Sequence, residues 1–262
     1  FTVATADAVN NSSQTYASWN WKANGQGSSN TDGSINTTYT SVNTTAGFSI
    51  STYTGTGSNA TVGHGLGSVP KMIIVKRTNA TDVWRVYHGS IGATKHLVLN
   101  TTAGDASGSN VWNDTAPTSS VFSISTDSAV NASGATYVAY CFAEKTGYSK
   151  FGKYVGNGNT SGDGAFIYLG FKPAFFMVKN VSASGHGWYM FDNKRDVDNP
   201  TNKYLVANTT AADASFDWMD FNSNGIKVRG NSGGANNSGE SYIYMAFGQS
   251  LVGSNNVPCT AR

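Results

Sequence analysis

The sequence predicts an all-β protein made of tandem β-sandwich or jelly-roll-like repeats of about 100 residues each. Three observations carry that reading. The chain repeats its own landmarks in order, its apolar residues fall in short strand-like runs, and Ser, Thr, Asn and Gly stand where charge would ordinarily be. Charged residues make up only 12% of the 262 positions, against about a quarter in ordinary globular chains, while 39% are hydrophobic. A core is therefore feasible. The polar residues supply turns through side-chain-to-backbone hydrogen bonds and positive φ angles.

Residues 1–23 read as the closing hairpin of a truncated preceding repeat. Phe1-Thr2-Val3, Asn10 and Thr15-Tyr16-Ala17-Ser18-Trp19-Asn20-Trp21 match Phe122-Ser123-Ile124, Asn131 and Thr136-Tyr137-Val138-Ala139-Tyr140-Cys141-Phe142 further on. Either the upstream part is absent from this sequence, or the hairpin completes another unit's sheet, since a lone hairpin is barely stable in water. Residues 24–46 form a loose Gly/Ser/Asn/Thr-rich link, with a possible strand at residues 34–42.

Residues 47–144 and 145–249 are the two whole repeats. Each opens on Gly-aromatic-Ser (Gly47-Phe48-Ser49; Gly147-Tyr148-Ser149) and runs to a Tyr-x-Gly-x-Gly turn (Tyr53, Gly55, Gly57; Tyr154, Gly156, Gly158). Pro70 and Pro173 then precede apolar strands that end at Lys76 and Lys179, where a missing N–H does little harm. A Trp strand follows (Trp84; Trp188), then Asn-Thr-Thr (Asn100; Asn208), an Asn turn (Asn131; Asn236) and an aromatic strand. In residues 136–144 both alternating faces are apolar, as in a strand buried on both sides. Phe48-Ser49-Ile50-Ser51 alternates cleanly, as a half-buried strand does. The link at Lys145-Thr146 is very short, and residues 250–262 are a C-terminal tail.

Several function classes start low. Net charge is +2 with no basic stripe, against nucleic-acid binding. No apolar run approaches the roughly 18 residues of a membrane span. Cys141 and Cys259 read as free thiols without a role. His64, His88, His96 and His186 read as loop histidines, and Asp163, Asp192, Asp196 and Asp198 as solvated loop residues; neither set has the spacing of a metal site. No cofactor and no catalytic constellation is expected. The one binding candidate is aromatic: Trp112 with Asn113 and Asp114, and Trp218 with Asp220. An indole flanked by Asn and Asp suits a glycan, the ring stacking on C–H faces while the polar groups take hydroxyls. Phe216 and Phe221 beside Trp218 favour packing instead.

The run Asn30-Thr31-Asp32-Gly33-Ser34-Ile35, the stretch from Gly47-Phe48-Ser49-Ile50 to Gly63-His64-Gly65-Leu66-Gly67, and Tyr137-Val138-Ala139-Tyr140-Cys141-Phe142-Ala143-Glu144 resemble a repeat from virion proteins of marine tailed bacteriophages. Gly147-Tyr148-Ser149-Lys150-Phe151-Gly152 and the ending from Leu251 to Arg262 are similar to it too. The resemblance implies a tail-fibre-like or lectin-like structural protein on the virion surface, with no catalytic motif to carry over. A non-enzymatic attachment module for a host-surface glycan or protein is the leading expectation. It would contact other virion proteins and form a homo-oligomer, a trimer or a larger assembly. A purely structural capsid or tail role comes second, and a glycan depolymerase, which needs paired carboxylates, a distant third.

Overall fold

The computed structural model describes residues 2–248, which leaves Phe1, Cys259 and the C-terminal tail outside the described residues. The described residues are all-β, with antiparallel ladders throughout the named strands and three helical turns of four residues each: α1 (Asp7–Asn10), α2 (Ser109–Trp112) and α3 (Ser128–Asn131).

The first sheet has seven strands in the order β1-β2-β9-β4-β5-β6-β7. These are β1 (Tyr39–Asn43), β2 (Phe48–Thr54), β4 (Pro70–Arg77), β5 (Trp84–His88), β6 (Lys95–Val98), β7 (Ala106–Ser107) and β9 (Thr136–Ala143). A separate pair, β3 (Ala60–Gly63) with β8 (Val121–Ile124), lies across its inner face. The second sheet has eight strands in the order β10-β17-β12-β13-β14-β15-β16-β11. They are β10 (Ser149–Val155), β11 (Phe166–Tyr168), β12 (Pro173–Asn180), β13 (Trp188–Asp192), β14 (Thr201–Val206), β15 (Ala214–Asn222), β16 (Gly225–Val228) and β17 (Ser241–Gly248).

Five strands of each sheet follow one plan. The last strand, β9 or β17, enters the middle, between β2 and β4 or between β10 and β12. Pro70 and Pro173 open β4 and β12, and the ladder to the central strand slips once immediately after each. Tyr53 stacks on Tyr137 at 5.2 Å and Tyr154 on Tyr242 at 5.1 Å. The Tyr-x-Gly turns are explained by close approach: a Cβ on Gly55 would sit 2.4 Å from the Ala132 carbonyl oxygen, and one on Gly156 2.3 Å from that of Asn237.

Each sheet buries both faces. One face of β9, with Tyr137, Ala139 and Cys141, packs under Val62, Phe122 and Ile124 of the β3/β8 pair. The corresponding face of β17 packs with Trp218, Met219 and Phe221. The opposite faces meet in a shared layer of Phe48, Met72, Val86 and Phe142 against Phe175, Met177, Trp188, Ile243 and Phe247. Alternating apolar residues in a strand with two covered faces have no other place to go. Cys141 is a free thiol at the bottom of the first core, and burial pushes it up to about 12.

Two organisational expectations are corrected. Among the described residues, 2–23 form no hairpin: after α1 the chain has no ladder, and Trp19 and Trp21 pack on the shared layer. A hairpin needs paired strands, and the ladder partners of the matching strand β9 are distant in sequence. Nor are residues 24–46 a loose link. β1 extends the first sheet, Ile35 bridges in parallel to Val62, and Ser41 Oγ donates to the Gly25 carbonyl at 2.6 Å.

The Asn turns are hydrogen-bond hubs. Asn131, wholly buried, donates to the carbonyls of Ser58 and Ser125 and accepts from the Thr56 N–H at 2.8 Å. Beside it the Tyr137 hydroxyl donates to the Ser128 carbonyl at 2.6 Å and accepts from the Ala132 N–H at 2.7 Å. Tyr137→Phe leaves both backbone groups short of a partner. It is expected to cost about 1–3 kcal/mol, read as a lower urea midpoint at unchanged slope.

Candidate functional site

A groove of about 790 Å³ opens on the outer end of the second sheet, between β14, β15, the loop after β16 and the loop after β10. Phe216 on β15 forms its apolar element and is 46% exposed. The ring is held edge-on against Trp218 at 5.9 Å, so it keeps one orientation while remaining open. The walls are polar: Thr160, Asn199, Asn202, Ser215 and Asn231 line it with Asp220 and Arg229.

These walls are braced. Asn199 stands in for a strand neighbour, accepting from the Phe221 N–H at 2.9 Å and donating to its carbonyl at 3.1 Å. The Arg229 guanidinium takes the Asp220 carboxylate through Nε at 2.6 Å and through Nη2, and donates Nη1 to the Gly162 carbonyl at 2.9 Å. Both nitrogens converge on the one oxygen Oδ2, a charge-assisted contact that anchors the guanidinium at the groove wall. The groove thus presents a rigid ring, an oriented ion pair and several amides and hydroxyls. That set suits a neutral, hydroxyl-rich ligand with one apolar face.

The residues expected from sequence fall differently. Trp112 is 2% and Trp218 3% exposed, so neither ring can stack on a sugar, and that role is corrected. Trp112 sits on α2 in the first core against Tyr87, and Trp218 in the second core among Tyr189, Phe191 and Tyr204. The two therefore belong to separate clusters. Asn113 and Asp114 follow α2 with left-handed backbone, and Asn113 accepts from the Asn59 amide at 2.9 Å, with no exposed ring beside them. Of the five, only Asp220 lines the groove. Phe216, the groove's ring, is not among the candidates the sequence offers; it figures there only as a neighbour of Trp218.

The family model for a domain of unknown function, DUF7483, matches residues 1–250. The chain belongs to the DUF7483 family. Among curated proteins and among solved structures, nothing matches it. The groove lies within the matched span of this DUF7483 chain, as do both sheets.

Several titratable groups of this DUF7483 chain are held in structural contacts. His64, His88 and His96 are buried rather than lying in solvated loops. His88 Nδ1 accepts from the Ser90 N–H at 3.2 Å, so Nε2–H donates to the Tyr244 carbonyl at 3.1 Å across the two sheets. Burial pushes this imidazole down to about 4. Asp192 accepts from the N–H groups of Lys194 and Arg195 and from Arg195 Nε, which hold it below the usual carboxylate range against its own burial. Asp163 is an exposed partner of Lys227, whose ammonium lowers its carboxyl. Among the described residues, no three His, Cys, Asp or Glu side chains cluster as metal ligands would. Of the described residues lining the groove, Asp220 alone is a carboxylate, and Arg229 occupies it.

Proposed function

We propose that this protein is a non-enzymatic attachment module of a tailed-phage appendage, made of two copies of one β-sandwich unit, that binds a host-surface glycan in the groove over Phe216. The observation that carries the reading is that exposed, edge-braced ring set among amides, hydroxyls and one ion pair. A pyranose presents an apolar C–H face and a rim of hydroxyls, and each finds its counterpart here. The two-copy reading is supported by the shared strand plan and the matching Pro, Tyr and Asn positions. The virion setting is supported by the resemblance of the sequence motifs and by the low charge.

The test is glycan-array binding followed by titration calorimetry on the best ligand. Phe216→Ala is expected to weaken binding at least roughly ten-fold, equivalent to about 1.4 kcal/mol. Asp220→Asn, which takes the charge out of the Arg229 contact, is expected to weaken it comparably while leaving the unfolding midpoint nearly unchanged. Full binding by both variants would remove the groove from the account. A structural spacer role is the second reading, favoured by the continuous apolar layer that locks the two sheets together. Under that reading the protein binds no glycan and no host cell.

A further inference from the structure

Resting on the two-unit reading, we propose that residues 15–21 are the central strand of a third unit, whose remaining strands lie ahead of residue 1 on the same polypeptide, and that the three units close around a local three-fold axis. The first observation is a hydrogen-bond set that occurs three times. Tyr137 Oη donates to the Ser128 carbonyl and accepts from the Ala132 N–H; Tyr242 Oη does so with Gly233 and Asn237; Tyr16 Oη does so with Asp7 and Asn11. Asn10 also donates to the Ala4 carbonyl at 2.8 Å, as Asn131 does to that of Ser125. The N-terminal segment therefore carries the closing turn of a unit, although it pairs with no strand among the described residues.

The second observation is where the three closing strands meet. Trp21, Phe142 and Phe247 occupy the same position, five residues after Tyr16, Tyr137 and Tyr242. Their ring centroids lie 6.0 Å (Trp21 to Phe142), 5.3 Å (Trp21 to Phe247) and 6.0 Å (Phe142 to Phe247) apart, all edge to face. That is a near-equilateral triangle, as three equivalent positions about an axis require. Two covalent units alone would need only a two-fold or a translation.

The third observation is a surface covered in one unit and open in the other. In the second unit, Lys179 and Trp188 are paired across β12 and β13 and fully buried. The loop after β6 covers them: the Thr102 carbonyl accepts from Lys179 Nζ and the Gly185 N–H, and the Val98 carbonyl accepts from Trp188 Nε1 at 3.0 Å. In the first unit, Lys76 and Trp84 are paired in the same register across β4 and β5, yet both are only half-buried. Stepping once around the axis, the matching loop of a third unit covers Lys76 and Trp84. The exposed residues 209–213 of the second unit, in the place of that loop, seat on the third. A second copy of this chain has no spare strands to offer, because β9 and β17 already fill the slots beside β2, β4, β10 and β12. Ser18 and Asn20 would face inward beside β2- and β4-like strands, a row where Ser49 and Ser51 are already buried.

Hydrogen exchange tests this by comparing the 262-residue chain with the polypeptide extended ahead of residue 1. The amides of residues 15–21 are expected to gain protection by ~100-fold or more in the longer protein. Acrylamide quenching of Trp84, isolated as the difference from Trp84→Phe, should fall in step. Equal exchange in both proteins overturns the proposal. So does protection of residues 15–21 in the short chain that rises with its concentration, which would make a second copy the occupant. Amides of β9 and β17 are protected in both arms if the unit reading holds; their exposure would sink that reading, whereas protected β9 and β17 with residues 15–21 still open in the longer protein sinks the third unit alone.

Discussion

Replacing Trp188 by alanine is expected to destabilise the protein by about 3–5 kcal/mol, the range for removing a wholly buried Trp. The indole lies in the layer shared by both sheets and donates to the Val98 carbonyl, so its loss opens a cavity and leaves an acceptor short. Trp84, at the same place in the first sheet, is only half-buried, and Trp84→Ala should cost about 1–2 kcal/mol, in line with the apolar area it hides. Urea titrations of the two variants measure the difference. Equal costs would mean that the two sheets are not locked together through the Trp188 contact.

The second large effect is on acid stability. His88 is neutral in the folded protein down to about pH 4, while in the unfolded chain it takes a proton near its ordinary value of about 6.5. A base whose folded pKa is lowered favours folding above the unfolded value. As pH falls from 6.5 toward 4, the unfolded state binds a proton that the folded state refuses, and stability declines. The expected loss is about 2 kcal/mol by pH 5 and about 3 kcal/mol by pH 4. Denaturation midpoints at pH 7.5, 6 and 5 should show the fall, and His88→Gln should flatten most of it. His64, also lowered by burial, accounts for a remaining slope in that variant. An unchanged pH profile in His88→Gln would show that His88 is not the buried neutral link between the sheets.

The strands were largely legible because their signals are local. Pro70, Pro173, the Gly55 and Gly156 turns and the doubly apolar run at Thr136–Ala143 mark edges and faces through residues next to one another. The partners of each strand were not, because β9 and β17 pair with strands more than fifty residues earlier. The same distance misplaced the site. Trp218 has polar neighbours in sequence, but Tyr189, Phe191 and Tyr204 close over it from β13 and β14. Trp112 sits on a helical turn, where adjacent residues point elsewhere, so Asn110 and Asn113 say nothing of its own surroundings. Phe216 enters the sequence reading only as a neighbour that favours packing of Trp218; it does touch Trp218, edge-on, with the rest of its ring left in the groove.

The central claim concerns where a ligand sits, and the most direct measurement is a crystal structure with the strongest glycan from the array. The account places a sugar ring over Phe216, with its hydroxyls on Asn202, Asn231 and the Asp220–Arg229 pair. A glycan bound anywhere else on the surface, with the groove empty, would contradict it.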